Sequence, residues 1–226
     1  MLIKEKMKKS KDYRKILVNL GKDLIKCGLT YGSGGNISIR EGNFIYIKAS
    51  GAWFKEAKKR DYLKISLEAG RDYKKTLKPS CELKMHISCY RRRKDINCII
   101  HSHSTYAIIF ANKYKELKPV TAEFAAILED DVPVLKYLNP ASDELAEKVA
   151  DRISKHNGLI LSNHGVVTVG RSPKEALYRA VLIENETKIV LLSDLFTKAK
   201  YLNKKVKDGI IKSVHSEYRR KRLEKR

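Results

Sequence analysis

The chain has 226 residues, 42% of them hydrophobic and 33% charged, enough for one domain with a sizeable core and too long for a disulfide or zinc mini-scaffold. That composition excludes disorder and a fibrous repeat, and no apolar run approaches the roughly 20 residues of a membrane helix, so a cytoplasmic protein with no membrane contact is expected. The formal net charge of +22 implies a field that attracts phosphate-bearing partners, either nucleic acid or small phosphorylated metabolites.

Half of that excess sits at the ends. From Lys200 to Arg226 there are eleven basic and three acidic residues, and from Met1 to Asp12 five basic and two acidic. No aromatic stacking ladder or RNA-module signature accompanies the charge, so nucleic acid is not expected as the primary partner. Cys27, Cys81, Cys89 and Cys98 show no CxxC spacing and read as reduced thiols.

In chain order, Leu17, Leu20, Leu24 and Cys27 mark an amphipathic helix from about Ser10 that ends at Gly28. The glycine-rich turn Tyr31-Gly-Ser-Gly-Gly-Asn36 leads into a hairpin, Ile37–Arg40 and Phe44–Lys48, and a further strand fits Tyr62–Ser66. Running from a helix into a strand, that turn reverses the order of a dinucleotide or P-loop motif. Cys81–Tyr90 reads as a helix, Cys98–His103 as a buried strand and Ser104–Asn112 as a helix begun at the strand's end. Beyond them come a strand at Val132–Leu135, a helix at Ser142–Ile153, and strands at Leu159–Leu161 and Val166–Val169 split by Asn163-His164-Gly165. Ser172-Pro173-Lys174-Glu175 combines an N-cap serine, a first-turn proline and a capping-box glutamate, and opens a long helix toward Leu195. Strict βαβ alternation is absent, so the expected fold is a single α/β domain, residues 1–199, with a mixed or antiparallel sheet flanked by helices. Residues 200–226 read as a basic C-terminal tail that either recruits an anionic substrate or merely solvates the chain end.

His101 and His103, two apart at a strand end, point to one face and can converge on a metal. Alone, such a pair fits an empty loop mouth equally well; His164, at another strand end, supplies a third imidazole and an open site for substrate oxygens. His86 reads as structural, and His156 and His215 as solvated. Glu82 stands at a helix start after Pro79-Ser80-Cys81, either as an acid/base beside the metal or as a carboxylate favoured there by the helix dipole.

Gly35-Asn-Ile-Ser-Ile-Arg40, Lys48-Ala-Ser-Gly51, Pro79-Ser-Cys-Glu82, Ile99-Ile-His-Ser-His103 and Leu161-Ser-Asn-His-Gly165 occur in the order of the class II aldolase/adducin-head family, which the chain resembles over roughly Ser10 to Leu195. The resemblance implies that His101, His103 and His164 ligate zinc, with Mn2+ or Co2+ as alternatives. It implies Glu82 as a fourth ligand that leaves to become the base, and phosphate on Gly35, Asn36, Ser50, Gly51, Ser80 and Cys81. It also implies an α/β fold around a central, mainly antiparallel sheet, and a homotetramer with active sites between subunits. The implied reaction is retro-aldol cleavage of a short ketose 1-phosphate, through a zinc-stabilised enediolate, to dihydroxyacetone phosphate and an aldehyde.

Two positions depart from the family pattern. Cys81 replaces a hydroxyl residue in the phosphate loop, and Glu123 stands about where a tyrosine acid is expected, either as a second acid/base or as a helix cap after Thr121. Reliance on Glu123 would suit a methylthioribulose-1-phosphate dehydratase of the same family, whereas Glu82 favours the aldolase. A non-catalytic adducin-head-like module would be expected to have lost the three histidines.

Overall fold

The computed structural model describes residues 11–68 and 77–224; the lysine-rich stretch through Ser10 and the last two residues lie outside them. Helix α1 (Tyr13–Lys26) begins where the Asp12 side chain accepts from the Lys15 amide, slightly later than the apolar spacing suggests. The hairpin β1 (Asn36–Glu41) and β2 (Phe44–Lys48) is followed by β3 (Tyr62–Ser66), α2 (Leu83–Arg92), β4 (Cys98–Ser102) and α3 (Thr105–Ala111). Next come β5 (Glu116–Leu117), α4 (Ala122–Leu128), β6 (Val132–Leu135), α5 (Asp143–Ile153), β7 (Gly158–Leu161) and β8 (Gly165–Gly170). The chain then forms α6 (Pro173–Phe196), α7 (Lys204–Lys212) and α8 (Val214–Glu224). These strands make one sheet in the order β3-β2-β1-β4-β8-β7-β6-β5. Only the β6–β7 pairing is parallel, so the sheet is mainly antiparallel as expected.

Period-two alternation divides the central strands between two packed faces. Ile99, Val167 and Val169 face the layer of α2 and α5, together with Met85, Tyr90, Leu145 and Val149. Ile37, Ile39, Cys98 and Ile100 face α1 and the start of α6, with Leu17, Leu20, Leu24, Ala176 and Ala180. A third cluster gathers Phe110, Phe124, Ile127, Val166 and Ile183 under α3, α4 and α6. His101 follows Ile99 at a spacing of two, so it faces the α2 layer, and so do Asn36 and Ser38 of β1.

Helix α6 starts where its sequence predicts, with the Ser172 hydroxyl accepting from the Glu175 amide at 3.1 Å, but no capping box forms: the Glu175 carboxylate accepts from the Arg171 amide instead. Two of its acids also hold other helices in place. Glu184 accepts from the amides of Tyr106 and Ala107, both at 3.0 Å, at the start of α3. Glu186, 1% exposed, accepts from the amides of Val120 and Thr121 and from the Thr121 hydroxyl at the start of α4.

The basic segment beyond residue 200 is helical over most of its length. Leu223 is buried against the third cluster, Arg220 donates to the Ala126 and Ile211 carbonyls, and Lys207 pairs with Asp131 at 3.0 Å. Several of its cations are therefore engaged within the fold. Among the described residues no helix is long and apolar enough to cross a membrane.

Glu186→Ala should orphan the donors at the start of α4 and lower unfolding stability by about 1–3 kcal/mol in urea titration. Glu186→Gln, which keeps an acceptor oxygen, should lose less.

Candidate active site

Three strand ends meet at the carboxyl end of β4. His101 is the fourth residue of that strand and is fully buried; its Nδ1–H donates to the Val166 carbonyl of the neighbouring β8 at 3.1 Å, which turns its Nε2 lone pair away from the sheet. His103 follows just beyond the strand, its Nε2 3.2 Å from that of His101. His164 closes the three-residue turn between β7 and β8, where Asn163 takes a positive φ of 56° that asparagine tolerates. One ligand atom from each of the three imidazoles lies within 4.8 Å of the others.

This convergence depends on close backbone approach. A Cβ on Gly165 would lie 2.1 Å from the Ser102 carbonyl oxygen, and one on Gly35 would lie 2.6 Å from that of His101. Gly35 also has φ +70°. The glycine-rich turn thus seats β1 against β4, where Asn36 pairs with His101 across the strands.

Glu82 is the N-cap of α2, but its side chain makes no cap bond. The carboxylate, 3% exposed, turns instead into the cluster, with Oε2 3.2 Å from His101 Nε2 and Oε1 3.4 Å from His164 Nε2. Oε2 accepts from Asn36 Nδ2 at 2.7 Å, while Oε1 is buried without a hydrogen-bond partner. Burial alone would raise the Glu82 carboxyl, yet His101 and the Asn36 amide together hold it below the usual range. Burial, with His101 beside them, brings His103 and His164 down to about 4, so both are neutral at pH 7. Ring-nitrogen lone pairs and an orphaned carboxylate oxygen aimed at one point form a donor set that a divalent cation fits, and nitrogen-rich sites of this kind suit zinc.

The residues expected at the phosphate site fall on three adjoining loops. Ala49 bridges Pro79, the Ser50 amide donates to the Lys78 carbonyl and the Ser80 amide to that of Lys48, which sets Ser50 and Gly51 beside Ser80 and Cys81. Lys48, 2% exposed, ties this pair to the glycine-rich turn, donating to the carbonyls of Ser33 at 2.9 Å and Ala52 at 2.6 Å. Burial lowers its ammonium to about 8. Sequence reasoning passed over Lys48, although it lies within a motif and its buried strand position was the available signal. Asn36 lies with this group, but both ends of its amide are already bonded, to Glu82 and to His86.

Glu123 is not brought to the histidines within this chain. It sits exposed on α4, bonded to the Tyr178 hydroxyl and 3.6 Å from Arg219. His156 is half-buried, 3.3 Å from Asp130, rather than freely solvated; His215 is exposed as expected. His86, fully buried, bonds Asn36 and Ser38, and burial brings its imidazole down to about 3.

A carboxylate facing three imidazoles at the strand ends of a mainly antiparallel sheet forms a site that could hold a metal, of the kind the motifs imply. Residues 15–191 match the class II aldolase and adducin N-terminal domain family, and the chain belongs to it. It is 39% identical over 153 residues to an L-fuculose phosphate aldolase of Methanococcus maripaludis, covering 68% of this chain and 82% of that one. It is 35% identical over 173 residues to a 5-deoxy-D-ribulose 1-phosphate aldolase of Bacillus thuringiensis serovar kurstaki, covering 76% and 80%. The solved structure of an L-fuculose 1-phosphate aldolase superposes with a TM-score of 0.83 at 29% identity, covering 89% of this chain and 95% of that one.

The depressed histidines set an acid limit for the metal-free protein. Above the ordinary histidine pKa of about 6.5 the folded and unfolded chains bind the same protons at these sites; below it the unfolded chain takes up protons that buried His86, His103 and His164 refuse. Stability of the chelator-treated protein should therefore fall as pH drops from about 6.5 toward 4, checked by urea titration across pH. His103→Asn, which excludes no proton, should show a shallower fall.

Proposed function

We propose that this chain is a zinc-dependent aldolase that cleaves a ketose 1-phosphate resembling L-fuculose 1-phosphate to dihydroxyacetone phosphate and an aldehyde. The observation that carries the reading is the Glu82 carboxylate, buried against His101 and His164 with one oxygen unpartnered. The names of the similar aldolases support the substrate class.

His101, His103 and His164 would hold the metal, which when bound supplies a Lewis acid for the ketone and adjacent hydroxyl oxygens. The phosphate would enter the loops of Gly35, Asn36, Ser50, Gly51, Ser80 and Cys81, where backbone N–H groups suit an anion and the Lys48 ammonium adds positive charge. Those contacts orient the substrate by binding energy remote from the reacting carbons. When the bond between the two sugar carbons breaks, its electron pair stays on the carbon beside the ketone, and that carbon takes a proton. Glu82 is proposed to exchange it: its carboxylate removes that proton in the synthetic direction and its carboxyl returns it in cleavage. The hydroxyl proton released as the aldehyde forms balances the one taken up. Glu123 is proposed as a second acid/base; within this chain it pairs with Tyr178 and Arg219 rather than with the histidines. The chain is further proposed to act as a homotetramer, for which the exposed Leu192, Leu195 and Phe196 at the end of α6 offer an apolar surface.

Glu82→Gln should retain about one metal per chain and lose at least ~100-fold in kcat, since general acid–base groups contribute on that scale. Metal content and product release measured on the same sample check both parts; full turnover would refute the base assignment. His101→Ala should lose metal and activity together.

A further inference from the structure

The α2–β1 contact is built from polar groups where a helix packed on a sheet ordinarily buries apolar ones. Glu82, His86 and Tyr90 recur every four residues and share one side of α2 and its cap, while Asn36 and Ser38 share one side of β1. All five are at most 5% exposed, and His86, Ser38 and Tyr90 are at or near zero. Such groups tolerate burial only when hydrogen-bonded, and here each has a partner.

The carboxylate end dictates the direction of every bond. An ionised Glu82 only accepts, so the Asn36 amide must present Nδ2 to it, at 2.7 Å. Oδ1 of that amide then faces His86 Nε2 at 2.5 Å, which must carry the ring's proton. His86 Nδ1 is left as an acceptor, and the Ser38 hydroxyl, 2.7 Å away, donates to it. The Tyr90 hydroxyl closes the line, donating to the Ser38 carbonyl at 3.1 Å and lying 3.0 Å from its hydroxyl oxygen. No member can be reversed without placing two acceptors against each other.

We infer that His86 is a positioning residue for the proposed base: its Nε2–H locks the Asn36 amide, and the amide anchors one oxygen of Glu82 so that only the other is free to serve the metal and the reacting carbon. The inference rests on the proposed role of Glu82. It also explains why both ends of the Asn36 amide are already committed beside the phosphate loops. Without the ring N–H, the amide can turn its oxygen toward the carboxylate, and Glu82 loses its fixed orientation. Misplacement of about 1 Å at a reacting group costs on the order of 100-fold in rate.

Two measurements test this. In uniformly 15N-histidine-labelled protein, His86 should show a protonated Nε2 and a bare Nδ1 at pH 7; the opposite tautomer or an imidazolium would overturn the inference whatever the activity. In the metal-loaded enzyme, His86→Leu should keep one metal per chain and lose about 10- to 100-fold in kcat with KM within about threefold of the parent. His86→Gln, whose amide offers a donor of similar reach, should recover most of that loss. A merely space-filling histidine predicts that the leucine variant, once folded and metallated, turns over like the parent and that glutamine brings no recovery. Loss of turnover in Glu82→Gln with full turnover in His86→Leu would sink this inference alone. Full turnover in Glu82→Gln would sink the base assignment, and the inference with it.

Discussion

A carboxylate that is 3% exposed cannot stay ionised in a protein interior without close partners, and the site is organised around that requirement of Glu82. One oxygen takes the Asn36 amide; the other faces His164 with no hydrogen bond at all. A divalent cation between that oxygen and the imidazoles would complete the balance. The same demand explains why the polar groups of α2 and β1 form a continuous line instead of an apolar seam. A half-satisfied line would be worse than an apolar one, so its members stand or fall together.

The scaffold keeps the ligands within reach by joining distant segments through the sheet. β4 carries His101 between β1, which brings Asn36, and β8, whose turn brings His164 and whose Val166 carbonyl orients the His101 ring. Helix α3 leaves the sheet directly after His103, and Glu184 of α6 caps its start, so the exit of the ligand strand is tied to the longest helix of the fold. Glu186, two residues on, does the same for α4. The two acids give α6 a supporting role that its apolar contacts alone would not supply.

Much of this was legible in the residues. The two-residue spacing of His101 and His103 at the end of an apolar run declares a shared strand face, and Ser172-Pro173 with Glu175 declares a helix start that the structure reproduces. Glu82 was legible as a helix-start acid with two roles open, beside a metal or on the helix dipole; the structure, where its side chain makes no cap bond and faces the histidines, decides between them because that depends on which strand end lies opposite. The stripes Glu82-His86-Tyr90 and Asn36-Ser38 are each visible in the sequence. Only the tertiary contact shows that they face each other, which is why His86 read as structural without a partner. Helices α7 and α8 were missed because ion pairs and carbonyl contacts dock them as much as an apolar stripe, and the contacts of Glu123 were not legible because Tyr178 and Arg219 lie more than fifty residues away.

The central claim is that these residues cleave a carbon–carbon bond in a sugar phosphate with a metal held by three histidines. The most direct measurement is release of dihydroxyacetone phosphate from L-fuculose 1-phosphate and related ketose 1-phosphates by the purified protein, before chelation, after it, and after Zn2+ is restored. Release that chelation abolishes and Zn2+ restores is the predicted result. No release from any of them by the fully metallated protein, or release that chelation leaves untouched, would contradict it.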